Sequence, residues 1–153
     1  MLYIVRHAKA GSRRDWDGED QLRPLSKAGH KQSLAIAKRL GKRGVTSLVS
    51  SPYVRCMQTL EPLAKLSGGA VLADDRLAEG DDFSGALDLL SELPDGSVIC
   101  SHGDVIPATM AALQRRGCEF LSQPDWRKAT VWLLDRDGTG TIGSARVWSP
   151  PHD

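Results

Sequence analysis

Close to its N-terminus the chain runs Leu2-Tyr3-Ile4-Val5 straight into Arg6-His7. A short apolar run rich in β-formers and ended by charge fits a strand buried on both faces of an α/β sheet. The pattern returns twice. Thr46-Ser47-Leu48-Val49 leads into Ser50-Ser51-Pro52, and Ser97-Val98-Ile99-Cys100 leads into Ser101-His102-Gly103. In a parallel sheet such strands end on one edge, outside which α/β folds bind their ligands. That edge would carry Arg6, His7, Ser51 and His102, with Arg55 about one helical turn further on.

The segments between these runs have helical character. Ser26 is a good N-cap for a helix with Leu34, Ala37, Leu40 and Ile36 as its apolar stripe, ended by Gly41 or Gly44. A second helix opens at Ser51-Pro52, since proline suits a first turn, and runs to about Leu66. A third spans Gly85 to Leu93, and a fourth follows His102-Gly103-Asp104 to about Arg116. Further strands are expected at 70–73 and 130–134. Asp137-Gly138 marks a turn, and Ile142 to Trp148 is expected as an antiparallel edge strand. Strands alternating with helices give the fold class: α/β, a single three-layer αβα sandwich with a mostly parallel central sheet and helices on both faces. Residues 1–149 form one domain, and 150–153, with Pro150-Pro151, a loose tail.

At 153 residues the chain is long enough for one domain with a core. Its 20 basic and 19 acidic side chains nearly balance, which argues against nucleic-acid or membrane binding driven by bulk charge. The three cysteines, Cys56, Cys100 and Cys118, match no metal spacing and are expected as reduced thiols in the cytoplasm. The first apolar run is too short for a signal peptide or a membrane span.

The chemistry follows from residue types. A histidine can be neutral, and so nucleophilic, near pH 7. Arginine forks and helix N-termini both suit a phosphate dianion. Such a site also needs a proton donor for the leaving group. Glu79, in Leu77-Ala78-Glu79-Gly80, is the best-placed candidate, with Asp81 and Asp82 competing. Lys9, Ser12, Arg13 and Arg14 sit just past His7. They either widen the phosphate site or form a solvated basic loop balanced by Asp15, Asp17, Glu19 and Asp20. Trp16 either stacks on a base or pins its own loop. A cysteine-based phosphatase would need an arginine six residues after the thiol, but those positions hold Pro62 and Ile106. A metal site using His7, His102 and Asp104 would be opposed by the neighbouring arginines.

Taken together, Arg6-His7, Leu25-Ser26-x-x-Gly29, Ser51-Pro52-x-x-Arg55-x-x-Gln58-Thr59 and Ser101-His102-Gly103 resemble the histidine phosphatase superfamily, the phosphoglycerate-mutase-like group. Arg23-Pro24-Leu25-Ser26 and the short length resemble its compact SixA-type branch. Arg6-His7-Ala8-Lys9-Ala10-Gly11-Ser12 and the Trp16-x-Gly18-x-Asp20 loop more closely resemble the phosphatase-like domain of mycobacterial MutT-type proteins; no Nudix box is present. Ala8 stands where the common signature has glycine. It either narrows the approach to the nucleophile or is harmless.

The resemblance implies that His7 attacks phosphorus and becomes phosphohistidine. Arg6, Arg55 and His102 hold the phosphoryl oxygens, and Glu79 protonates the leaving group and then activates water. Gly103, Lys9 and Ser12 join Arg6, Arg55 and His102 as substrate-binding candidates. No metal or other cofactor is implied. The partner would be a phosphorylated small molecule, a nucleotide or a phosphohistidine protein, with neither nucleic acid nor membrane. A mutase would need inserted segments for which the chain has little room. The competing function is a catalytically weak phosphate- or nucleotide-binding module that partners another enzyme.

Overall fold

Alternation along the first strand sorts the core into two layers. β1 (Leu2–Arg6) sends Leu2 and Ile4 to one face of the sheet and Tyr3 and Val5 to the other. Both faces are covered, which is why the strand reads as unbroken apolar sequence. The computed structural model describes residues 1–152; Asp153, at the end of the expected tail, lies outside them.

The remaining elements are α1 (Lys27–Leu40), β2 (Ser47–Ser50), α2 (Val54–Ser67), β3 (Val71–Ala73), α3 (Phe83–Glu92), β4 (Ser97–Ser101), α4 (Val105–Arg115), β5 (Glu119–Phe120), β6 (Val131–Arg136) and β7 (Ile142–Trp148). They build the three-layer α/β sandwich. The sheet order is β3-β2-β4-β1-β6-β7-β5. β1, β2, β3 and β4 pair in parallel, and β6 runs antiparallel to β1 and to β7. Helices α1 and α2 cover Tyr3, Val5, Val98 and Leu133, while α3 and α4 cover Leu2, Ile4, Ile99 and Trp132.

Three local expectations are corrected. β7 is antiparallel to β6, but it is not the edge: β5 pairs outside it. Two residues are too short a strand to leave a periodic signal. Helix α2 begins at Val54, with Tyr53 as its cap, instead of at Ser51-Pro52. The Ser51 amide is held by the Cys100 carbonyl at 2.9 Å, so the chain is still in the sheet there. Leu34 is exposed, and the buried stripe of α1 runs through Ser33, Ile36, Ala37 and Leu40. Ser33 can enter that stripe because its hydroxyl donates to the His30 carbonyl.

The start of α1 sets the position of the segment after β1. The Ser26 hydroxyl caps the helix by accepting from the Gly29 amide, and it donates to the Lys9 carbonyl. The helix comes so close that a Cβ at Gly29 would lie 1.9 Å from the Lys9 carbonyl oxygen. Glycine at this position is therefore a packing requirement.

Candidate active site

The strand ends meet as the topology demands. Arg6 is in register with Ser101, and the His7 amide donates to the Ser101 carbonyl at 3.1 Å. From the other side, the Ala129 amide reaches the Arg6 and His7 carbonyls, each at 3.2 Å. Ala129 adopts φ +65° to do so, a left-handed conformation that costs a non-glycine residue about 1 kcal/mol. The Arg6-His7 backbone is thus fixed from both neighbouring strands.

A cleft of about 310 Å³ opens beyond these ends, lined by Arg6, His7, Arg13, Arg23, Arg55, Glu79, Gly103, Asp104 and Lys128. Five cationic side chains against two carboxylates make it an anion site. Lys128 registers that field: partial burial, and then the charges of Arg6, Arg23, Lys9 and Arg55, push its ammonium below its usual value.

His7 is buried, and its Nδ1 lies 2.8 Å from the Ala8 carbonyl oxygen. A carbonyl only accepts, so Nδ1 carries the proton and Nε2 of the neutral ring keeps a lone pair. Burial, reinforced by the electrostatic influence of His102, Arg55 and Arg6, pushes the imidazole down to about 3, against the pull of the Ala8 carbonyl. A neutral ring with a free nitrogen on an arginine-lined cleft has the form that a nucleophilic histidine requires.

His102 is buried directly behind it, with the ring centroids 5.4 Å apart. Its Nε2 pairs with the Ser51 hydroxyl at 2.8 Å. His102 Nδ1, Arg6 Nε and Arg55 Nε are buried and have no hydrogen-bond partner among the described residues. Buried polar atoms are rarely left unpaired, which makes these three candidates for contact with a ligand.

Arg55 is almost completely buried. Its Nη1 donates to the Asp20 carbonyl at 3.0 Å and its Nη2 to the Asp20 carboxylate at 3.1 Å. Asp20 also receives Arg23 Nε at 3.0 Å and lies 3.4 Å from Arg13. Partial burial opposes ionisation of Asp20, but the hydrogen bonds and charges of Arg23 and Arg55 outweigh it and hold the carboxyl below its usual value. Glu79 reaches into the same cluster, 3.5 Å from Arg55 and 3.6 Å from Arg13.

Arg6, His7, Arg55, Glu79 and Gly103 therefore line one cleft, with His102 beneath it. Gly103 leaves room for Arg6, since a Cβ there would lie 2.7 Å from the guanidinium. Lys9 and Ser12 are exposed and do not line the cleft, whereas Arg13 does. Asp81 and Asp82 also stay outside it. Ala8 is fully buried in the layer under α1 and α2, and its amide donates to the Thr59 hydroxyl. Its methyl does not line the approach to His7. Trp16 donates to the Glu19 carbonyl and so pins its own loop. Cys56 and Cys100 are fully buried and do not line the cleft.

Sequence reasoning gave no cleft role to Arg23 or Lys128. Lys128 precedes β6, and an antiparallel neighbour of β1 starts at the edge where β1 ends. Recognising that direction would have found it.

An α/β sheet that delivers a neutral histidine into an arginine-lined cleft defines a protein built to engage a phosphoryl group. Residues 2–86 match the family model described as the histidine phosphatase superfamily (branch 1). An 8-oxo-(d)GTP phosphatase of Mycolicibacterium smegmatis is 33% identical over 158 residues, covering 99% of this chain and 49% of that protein. The chain thus spans about half the length of that relative. Among solved structures, the protein histidine phosphatase SixA complexed with tungstate superposes with a TM-score of 0.75 at 20% identity, covering 97% of this chain and 94% of that one. A mycobacterial glucosyl-3-phosphoglycerate phosphatase in complex with VO3 gives 0.74 at 21% identity, covering 98% and 99%. The chain belongs to the histidine phosphatase superfamily.

Proposed function

We propose that this chain is a metal-independent phosphatase acting through a phosphohistidine on His7. The observation that carries the reading is the neutral His7 ring, with Nδ1 committed to Ala8 and Nε2 left on the cationic cleft. Nε2 attacks phosphorus while the bond to the leaving oxygen or nitrogen breaks. Glu79 gives that atom its proton. Water then attacks the phosphohistidine, Glu79 takes the water's proton, phosphate leaves and His7 is restored. Arg6, Arg55 and the unpaired nitrogen of His102 stabilise the oxyanion in both steps. The same arginines oppose a dication in the cleft, so the charge is met by fixed side chains.

The substrate classes are a phosphate ester, a phosphoramidate such as phosphohistidine, or a nucleotide phosphate; the name of the mycobacterial relative supports including the last. We place the protein in the cytoplasm on its free, buried cysteines. No helix among the described residues is long and apolar enough to cross a membrane.

The test is intact-protein mass spectrometry after a rapid alkaline quench, with EDTA present. Phosphohistidine, a nucleoside diphosphate and an aryl phosphate are offered in turn. A single phosphoryl adduct is expected, and His7→Ala should abolish it and lower turnover on the order of 10⁴-fold. Phosphate-ligand binding with neither adduct nor turnover would replace this reading with the weakly catalytic binding module.

A further inference from the structure

Glu79 sits on a loop, and an acid there needs to be held. Leu77, two residues earlier, is fully buried, and its carbonyl accepts from the Ser101 hydroxyl at 2.7 Å. The Asp81 amide donates back to the Ala78 carbonyl at 3.1 Å, closing a tight turn with Glu79 inside it. Gly80 supplies the φ of +87° that the turn requires. The Gly80 amide, next to Glu79, donates to Asp104 Oδ2 at 2.7 Å. The other oxygen of Asp104 receives the Val105 amide at 2.8 Å, at the start of α4. The segment that presents His102 therefore also grips the Glu79 turn on both sides, with Ser101 before the acid and Asp104 after it.

We propose that Asp104 is the positioning residue for Glu79. Its carboxylate fixes the Gly80 amide so that the acid faces the leaving group above Arg55. A short amide-to-carboxylate bond is charge-assisted and stronger than a neutral one. Asp104 lies at the rim of the cleft, and the role assigned to it is exerted through the turn. This inference rests on the reading of Glu79 as the general acid.

Asp104→Ser separates the two tasks of the residue. Serine is a good helix cap, but it is too short to reach Gly80. Thermal stability should stay close to that of the wild type. The ratio kcat/KM, which reports the first phosphoryl transfer, should fall roughly tenfold or more for an alkyl phosphate, whose leaving oxygen needs a proton. It should change little for an aryl phosphate with an acidic phenol. With the aryl substrate, phosphoenzyme should accumulate, because water activation also uses Glu79. Asp104→Asn keeps one acceptor oxygen and should recover part of the loss. In a Glu79→Gln background, Asp104→Ser should cost nothing further.

Equal losses for both substrates, or no loss for either, would overturn the positioning role. A Glu79→Gln variant with wild-type rates on both substrates would overturn the acid assignment beneath it. That outcome is read from a different protein, so the two failures are distinguishable.

Discussion

The cleft has two halves, built by different means. The half around His7, His102 and the Arg6 backbone is held by neighbouring strands. Its contacts are main-chain hydrogen bonds, such as those from the His7 amide to Ser101 and from Ala129 to Arg6 and His7. The half around Asp20, Arg13, Arg23 and Glu79 is carried on loops and joined by ion pairs. Sheet backbone places His7 rigidly. Ion pairs between loops place cations that can re-partner when a phosphate arrives. The contrast makes a prediction: damage to the first half should cost fold and activity together, and damage to the second should cost activity alone.

Gly29→Ala is the strongest test of the rigid half. The added carbon would overlap the Lys9 carbonyl, a backbone atom that cannot rotate away. Helix α1 and the 7–10 segment must then separate. A loss of about 3 kcal/mol is expected, as for an overpacked core site. In urea unfolding the midpoint should fall, and turnover should fall with it because Ala8 and Lys9 directly follow His7. A variant with wild-type stability would break the claim that α1 packs the segment after His7 in place through Gly29.

The same division decided what the sequence could reveal. Buried strands leave apolar runs, and strand ends in a parallel sheet share an edge, so Arg6, His7, Ser51 and His102 were legible together. Arg55 was legible from its closeness to the end of β2, although the helix that carries it begins at Val54 and not at Ser51-Pro52. The loop half has no such rule. Nothing in the spacing of Asp20, Arg23 and Arg55 says that one carboxylate ties both arginines. Lys9 and Ser12 were expected beside the phosphate because they are close in sequence to His7. The Gln32 side chain accepts from the Lys9 amide, Ser26 and α1 hold its carbonyl, and its side chain stays exposed. Glu79 was placed by its loop position after the third strand, but Asp104 as the clamp on its turn depends on a contact 24 residues apart.

Burial of a neutral His7 also leaves a signature in stability. The ring is lowered from 6.5 to about 3 in the folded protein. Above pH 6.5 the folded and unfolded chains both hold it neutral, and it contributes no pH dependence. As the pH falls from there toward 3, the unfolded chain takes up a proton that the folded one refuses, so stability is lost. By pH 5 the penalty is on the order of 2 kcal/mol. His7→Gln cannot be protonated and removes that part of the slope. Relative to wild type, it should gain about this much between pH 7 and pH 5 in urea titrations. Parallel profiles would mean that the rigid half does not hold His7 in a neutral, desolvated state.

Asp20→Asn is the converse test, on the ion-paired half, and should give the smallest change in stability. Asp20 is about one-third exposed, and its pairs with Arg13 and Arg23 are partly screened by solvent. Arg55 is buried, but it keeps the Asp20 main-chain carbonyl and the Glu79 carboxylate as partners. An asparagine oxygen can still accept one hydrogen bond. A loss of about 1 kcal/mol or less is therefore expected. The catalytic effect should be larger. Without the carboxylate, Arg23 and Arg13 lose the group that fixes them beside Arg55, and kcat/KM should fall about tenfold, the scale of one charge-assisted hydrogen bond. If the variant instead unfolds like Gly29→Ala, the loop half is structural and the division fails. If it becomes more active, the Asp20 carboxylate competes with the substrate for Arg55 instead of holding that arginine ready for it.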